Sequence, residues 1–550
     1  MHREVSRHRQ AKTAAGSLRV ELDESKVDAI FAKLDQCHLP GVAVGIAIGG
    51  KPVYRKGFGL ASMELPVMLS PTIRMRIAST SKHFTCLAYM LLCEEGKAGI
   101  DDPVGKHLPE LHTVSHRATM RQLMGNTSGL RDVYDVFVQF NETYSGYGGV
   151  SQSVKSAELL ELYRSIDDVS APPGTAWMYN NGGWLILSAA IERISGQTLE
   201  QVLRERIFEP VGMYSSLLRR SDNDFLPNSA TQHSVGATGS FERLYWGLDN
   251  CFGAGAIVST IDDMLLWLAH MDEPQVGSAS TWAVMKAPQT LANGTSTGYG
   301  LGLMLDRYRG VDTVSHTGNA LGGNAQMLKV PAAGLDVVIM SNRQDVSSML
   351  LANQVIDACL PGLKAAPEPY SGPFAAGTFL SPTTGRVIQL FGKYGRQIAS
   401  VGGSELPMEP DDQGEFSYVE LWKDPKQSLM LKGDFAQPAA VRFKDFGNID
   451  ECVRIEPVTQ ADADVIAGRY RSEAIGTTAT VSMTDAGPRL TTVGRFGSAV
   501  FDLECIASGI WRTKPAKLPF LGGLLSFDRA AGTFRFSNYQ TRALVFQRIP

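Results

Sequence analysis

Apolar positions change period along the chain, and those changes mark its elements. "DESKVDAIFAKLDQ", "SAELLELYRSI", "WLILSAAIERISG", "LEQVLRERIFEPVGM" and "TIDDMLLWLAHM" carry apolar residues at helical spacing. Phe84, Leu87, Ala88, Leu91 and Leu92 fit the i, i+3, i+4, i+7, i+8 pattern, so a buried helix is expected with Ser79 and Lys82 on its first turn and a stop at Gly96. Period-two stretches lie on either side of these helices. "GVAVGIAIGGKPVYRKGFG" reads as two strands turning at Gly49 and Gly50, and "NAQMLKVPAAGLDVVIMSN" as a hairpin turning between Pro331 and Gly334. Strands at both ends with helices between them predict one α/β (α+β) domain over residues 17–364, an antiparallel sheet flanked by helices whose first and last strands are neighbours.

Near "LPGLKAAPEPYSGP" proline, glycine and alanine cluster and helical spacing ends, as in a linker. Beyond it the pattern repeats once. Ala376-Gly377 and Ala467-Gly468 stand 467 − 376 = 91 residues apart, and the closing "ECVRI" and "VFQRI" end at Ile455 and Ile549, 549 − 455 = 94 apart. Two copies at so long a period mean paired domains rather than a solenoid. Short alternating segments such as "GRVIQLF", "TATVSMT" and "ALVFQRI" make residues 371–456 and 460–550 two small antiparallel β-barrel-like domains.

Composition narrows the function. A chain of 550 residues is too long for one core, and 44% hydrophobic with 20% charged residues is an ordinary globular mixture. A net charge of −4 offers no basic excess for a phosphate backbone, so no nucleic-acid partner is expected. No apolar run suits a membrane span or the core of a secretory signal, which predicts a cytoplasmic protein with no membrane partner and a flexible stretch at residues 1–16. Seven scattered cysteines without a CxxC pair argue against a disulfide framework or a zinc site.

Three short stretches carry candidate chemistry. In "ASTSK" the Ser79 hydroxyl and the Lys82 amine are three apart on one helical turn, so the amine can reach the hydroxyl. Serine needs a base, and a desolvated lysine or a neighbouring phenolate can serve. "PPGTAWMYNNGGW" sets Tyr179 and Asn181 on a turn-rich segment, where a phenol can shuttle a proton and an amide can orient an acyl group. In "TVSHTGNALGG", His316 and Thr317 can donate hydrogen bonds and Gly318 permits close backbone approach. His112 and His116 are spaced for a metal, but without a third ligand they read as a solvated face, and no metal or cofactor is expected.

Together the SxxK, YxN and HxG motifs resemble the serine β-lactamase and penicillin-binding protein superfamily, where SxxK, SDN and KTG form the commoner set. The tyrosine and histidine versions are similar to its class C-like branch, which holds esterases and D-aminopeptidases. "MGNTSGLRDVYD", "RIFEPVGM" and "TGYGLGLML" extend the likeness over residues 40 to 350, with Asn126 standing where a histidine is usual. The resemblance implies that Ser79 is acylated and that Lys82 and Tyr179 share proton transfer, with the base between them undecided. It further implies that Asn181 holds the substrate amide, that His316 completes the proton network, and that Thr317 and Gly318 border the substrate strand. The oxyanion would be met by the backbone N–H of Ser79 and of Asn319 or Ala320.

A catalytic domain followed by two β domains resembles the three-domain D-aminopeptidases. There a loop of the last domain helps recognise the free amine of a D-residue, and the expected counterpart is "TVGRFGSAVFDLE", residues 492–504. Its tip carries arginine and no acid, so linear peptides containing D-residues, a linearised microcystin among them, are an alternative to single free D-residues. The expected partner is thus a small peptide or amide substrate, with a homo-oligomer left open. A carboxylesterase, a β-lactamase-like hydrolase and a catalytically silent binding protein remain as other readings.

Overall fold

A computed structural model describes residues 18–140, 156–243 except 237, 252–365, 370–410 except 371, 415–418, 427–458 except 457, 465–515 except 496, and 522–550. The N-terminal stretch expected to be flexible, part of the expected linker and Cys251 therefore lie outside the described residues.

The central sheet is antiparallel, in the order β3-β4-β5-β6-β1-β2. Its strands are β1 (Val42–Ile48), β2 (Lys51–Phe58), β3 (Met304–Tyr308), β4 (Val311–Ala320), β5 (Gly323–Val330) and β6 (Leu335–Ser341). The first and last strands of the domain are neighbours as expected, with Val42 opposite Ser341. Alternation along "VAVGIAI" builds two cores. Val42, Val44 and Ile46 pack with Val337 and Ile339 under α1 (Glu24–Phe31) and α6 (Ser348–Cys359). On the other face Ala43 and Ala47 join a larger core with α2 (Lys82–Glu94), α4 (Asn181–Ser195) and α5 (Ile261–His270). Gly45 is small for a reason: a Cβ there would lie 2.5 Å from Ile261 of α5.

The helix α2 is buried from Lys82 to Leu92, apolar nearly all round as a central helix must be. It begins later than its apolar spacing suggests. Ser79 sits ahead of it on a 3-10 turn, Ala78–Ser81, entered through Ala78 at φ 45°. The left-handed alanine swings the chain from the short strand Met75–Arg76 into the helix, so the tighter turn forms first.

Both β domains are closed eight-stranded antiparallel barrels, running from Gly377–Leu380 to Asn448–Ile455 and from Gly468–Ser472 to Leu544–Ile549. The repeat read from the sequence has a physical basis at the closure. Gly377 and Gly468 open the first strands at φ 149° and 152°, and a Cβ on either would lie 2.7 Å from the guanidinium of Arg454 or Arg548 respectively. Each arginine covers an aromatic ring of the strand it closes against, Phe379 at 5.2 Å and Tyr470 at 5.7 Å.

The barrels brace different parts of the first domain. At the Phe446–Asn448 turn of the first, Phe446 stacks on Trp177 at 3.9 Å, while Asn448 accepts from the Trp177 N–H (3.1 Å) and donates to its carbonyl (2.9 Å). The second packs on α3 (Val133–Phe140), with Phe140 edge-on to Phe536 at 5.0 Å. No helix among the described residues is long and apolar enough to cross a membrane. Among the described residues Cys86, Cys359 and Cys452 are buried free thiols, Cys93 and Cys505 are partly buried, and Cys37 is exposed.

Phe446→Ala removes a buried ring from the contact between the first barrel and the Trp177 segment. It should destabilise the chain by about 3–5 kcal/mol, measured as a lowered midpoint of urea unfolding followed by tryptophan fluorescence.

Candidate active site

Three segments meet at one amine. Lys82 Nζ donates to the Asn181 side-chain oxygen (2.9 Å) and to the Ala254 carbonyl (2.9 Å), and stands 3.1 Å from Ser79 Oγ. Both carbonyl oxygens require an N–H from the nitrogen. The remaining position faces Ser79, as a third N–H in the ammonium or a lone pair in the neutral amine. The ring of Tyr179 lies 4.8 Å from the same nitrogen, and that of Trp184 5.5 Å away. Lys82 and His316 are buried, whereas Ser79, Tyr179, Asn181 and Thr317 are half-exposed and Asn319 is exposed, so an incoming molecule can reach the second group.

Each partner is fixed by its own element. Asn180 caps α4 by accepting from the Gly183 N–H (2.9 Å) and donates to the Leu130 carbonyl (2.7 Å), which leaves Asn181 as the first helical residue. Beneath it the buried carboxylate of Asp132 accepts from the backbone N–H of Asn181 (2.8 Å), Gly182 (3.0 Å) and Tyr134 (3.0 Å). The negative charge sits at a helix start, where it is favoured. Ala254 is held through Gly253, whose carbonyl accepts from Thr85 (2.8 Å) and whose N–H donates to Ser188 (3.2 Å). Asn126, with φ 57°, shapes the Tyr179 segment through its backbone carbonyl, which accepts from the Met178 N–H (2.8 Å).

His316 lies on β4, which passes close to the Ser79 turn. A Cβ on Gly318 would sit 2.0 Å from the Ile77 carbonyl oxygen, so only glycine allows this approach. The Thr80 hydroxyl donates to the His316 carbonyl (3.1 Å) and ties strand to turn. Nδ1 of His316 faces the Thr317 carbonyl at 2.8 Å and must carry the proton, which leaves Nε2 to accept from the buried Tyr299 hydroxyl (3.1 Å). Burial and the Lys82 charge bring the imidazole down to about 3, so it is neutral. Burial pushes the Tyr299 phenol above its ordinary range.

Strand register sorts the residues after the histidine. Two-residue turns close β3 onto β4 at Tyr308 and Val311, and β4 onto β5 at Ala320 and Gly323. Closing pairs of such turns are hydrogen-bonded and alternate thereafter. The backbone groups of His316, Gly318 and Ala320 therefore face β5, and those of Thr317 and Asn319 face the other edge. Since β3 pairs only as far as Ser315, that edge is open beside Ser79.

A family model described as Beta-lactamase matches residues 27–358. The chain belongs to the beta-lactamase family. It is 26% identical over 442 residues to a D-aminopeptidase of Brucella melitensis biotype 2, covering 79% of each chain. It is 28% identical over 372 residues to a D-aminopeptidase of Gluconobacter oxydans, covering 66% of each. Among solved structures its fold resembles the octameric penicillin-binding protein homologue from Pyrococcus abyssi, with TM-score 0.55, 18% identity, and coverage of 92% and 100%. It also resembles a D-amino acid amidase from Ochrobactrum anthropi SV3, with TM-score 0.51, 20% identity, and coverage of 61% and 98%.

Within this beta-lactamase-family site the structure gathers Ser79, Lys82, Tyr179, Asn181, His316, Thr317, Gly318 and Asn319, the residues the motifs single out. Residues 492–504 form a β-hairpin of the second barrel, Gly487–Gly494 with Gly497–Ala507, that packs on α3, where Thr492 donates to the Phe140 carbonyl at 3.4 Å. Strand pairing runs to Gly494 and resumes at Gly497, and Phe496 of the tip lies outside the described residues. His112 and His116 make separate local bonds, to the Val114 N–H and the Leu111 carbonyl, and no cluster of metal-ligating residues occurs among the described residues. Motif reading missed Asp132, Ala254 and Tyr299, although "MGNTSGLRDVYD" and "TGYGLGLML" contain the first and last.

Two outcomes follow from this geometry. Gly318→Ala should abolish turnover while keeping the far-UV spectrum, because the methyl group separates β4 from the Ser79 turn. Burial and the nearby Asp135 raise the Asp132 carboxyl to about 6, against the N–H bonds it accepts. The folded state thus holds that proton more tightly than the unfolded chain does, and its contribution to stability fades as pH rises through about 6. Relative to Asp132→Asn, the wild type should lose unfolding free energy between roughly pH 4 and pH 7, read from urea midpoints across that range.

Proposed function

We propose that this chain is a serine hydrolase that cleaves amide bonds of small peptides or amides containing D-residues, through an acyl-enzyme on Ser79. The placing of one lysine nitrogen between the Ser79 hydroxyl and the Asn181 amide, under the Tyr179 ring, carries the reading. The D-aminopeptidase relatives support the substrate class.

Ser79 Oγ attacks the scissile carbonyl carbon as its proton passes to Lys82 or Tyr179, and the oxyanion forms between the backbone N–H groups of Ser79 and Asn319. The open-edge orientation of Asn319 favours it over Ala320 as the second donor. Collapse of the tetrahedral species breaks the C–N bond, and the leaving amine takes the proton from the same group. Water then attacks the acyl-enzyme with the proton path reversed, releasing the acid and restoring the hydroxyl. Asn181 accepts from or donates to the substrate amide. His316 stays neutral and fixes the strand along which the substrate lies, bordered by Thr317 and Gly318.

Linear peptides holding D-residues, such as a linearised microcystin, are the fuller substrates this reading offers beside simple D-amino acid amides. Free thiols at Cys37, Cys86, Cys93, Cys359, Cys452 and Cys505 support placing the protein in the cytoplasm. A homo-oligomer, as in the octameric Pyrococcus homologue, is read by light scattering on the same preparation.

Hydrolysis of a D-alanine anilide with a free amine, its N-acetylated form and a linear tetrapeptide containing a D-residue should proceed with the wild type. Ser79→Ala should lower the rate by at least about a thousandfold. Preference for the free amine marks an aminopeptidase, and preference for the blocked or longer substrate an internal-bond peptidase. Turnover of simple esters alone would replace the peptidase reading with a carboxylesterase.

A further inference from the structure

The second barrel does more than pack on the catalytic domain. We propose that its Asn538–Ala543 loop is a positioning element for Ser79 acylation, acting through the buried carboxylates of Asp132 and Asp135 on the first residues of α4. The proposal rests on Ser79 being the nucleophile and is independent of the substrate.

Two carboxylates lie buried three residues apart beneath the start of α4, and the loop supplies much of what keeps them there. Asn538 Nδ2 donates to both oxygens of Asp135 at 3.0 Å, and the Thr541 hydroxyl donates to one of them. Gln139, on α3 itself, adds a bond of 3.2 Å. Gln540 Nε2 lies 3.3 Å from the Asp132 oxygen that accepts the Asn181 N–H. Just before Asp132, Arg131 is held by Asp168 and donates to the Arg542 carbonyl at 2.9 Å.

The loop is itself set rigidly. The Asn538 side-chain oxygen accepts from the N–H of Gln540 (2.9 Å) and Thr541 (2.6 Å), and Asn538 N–H donates to the Thr541 carbonyl (2.8 Å). Its other side engages the first barrel. Tyr539 Oη accepts from Gln427 (3.0 Å) and lies 3.4 Å from Asp445, which is paired with Arg386. The residue after Asp445 is Phe446, stacked on Trp177. Through Asn538, Gln540 and Thr541 the loop reaches the helix start that delivers Asn181, and through Tyr539 it leans on the first barrel.

Like charges so close together and so buried persist only while donors hold them. With those donors gone, Asp135 must move, take a proton or draw in water, and Asp132 shifts with it. Asp132 holds the Asn181 backbone, Asn181 holds Lys82, and Lys82 faces Ser79. Displacements well under an ångström at the end of such a chain are felt in the rate.

Asn538 and Gln540 also line a cavity of about 620 Å³ where α3 and both barrels meet, so altering them need not collapse packed core. The test compares Asn538→Leu, Thr541→Val and their double variant with Thr541→Ser and Tyr539→Phe. Read out are the rate of Ser79 labelling by a fluorophosphonate, kcat and KM on an ester, and the unfolding midpoint, all assayed well below that midpoint.

Labelling and kcat should fall about tenfold or more in the double variant with KM nearly unchanged. Thr541→Ser, which keeps the donor, should stay within about twofold of wild type. Tyr539→Phe should lower the midpoint and leave labelling unchanged. If Asn538→Leu and Thr541→Val behave like Tyr539→Phe, the loop is a brace only and the proposal falls. A wild type that labels no faster than Ser79→Ala would instead overturn the nucleophile reading, and this proposal with it.

Discussion

The Lys82 nitrogen is the point on which this molecule is organised. An amine inside a packed core is tolerable only when its hydrogens have acceptors, and here the acceptors come from distant segments: the start of α4 and the Ala254 carbonyl, with the Ser79 turn on the remaining side. Satisfying that one group draws into register the elements that make the site. The acceptors are themselves constrained, Asn181 by Asp132 and Ala254 through Thr85 and Ser188. Stability and site geometry are therefore enforced by the same bonds, and the half-exposed ring of Tyr179 lies 4.8 Å from the amine.

Close backbone approach is the second constraint. Gly318 lets β4 lie against the Ser79 turn, and Gly182 lets the start of α4 settle where a Cβ would meet the Tyr163 hydroxyl at 2.3 Å. Gly302, at φ 69°, does the same against His83, where a Cβ would come within 2.8 Å of its backbone. Ala78 meets a related demand without being glycine. It holds a left-handed conformation, φ 45°, immediately before the serine, so local strain is borne where the hydroxyl must be presented.

Much of this was legible in the sequence because it is periodic or local. Alternation in "VAVGIAI" marked a central strand, helical spacing after Lys82 marked the buried helix, and the 91-residue recurrence marked the two barrels, whose shared Gly–Arg closure explains why the repeat survives at strand ends. The SxxK, YxN and HxG stretches held the reactive groups. What stayed hidden lies in side-chain bonds to distant backbone. Asp132 is one acid among many until the fold places it under Asn181, and the Tyr299 hydroxyl has meaning only opposite His316. The segment 492–504 belongs to a hairpin whose paired strands run to Gly494 and from Gly497, a pairing that its glycines do not announce.

The loop before the last strand has a consequence for how the protein is made. Gln540 and Asp132 are separated by 408 positions, and Thr541 and Asp135 by 406. The ribosome delivers every motif residue of the site long before it delivers the donors beneath it. A nascent chain that has folded only its first domain has the Asn181, Gly182, Tyr134 and Gln139 donors to these carboxylates, and those of Asn538, Gln540 and Thr541 arrive with the second barrel. Folding of the second barrel and support of the helix start are thus linked, which ties the geometry of the site to residues 406 to 408 positions downstream.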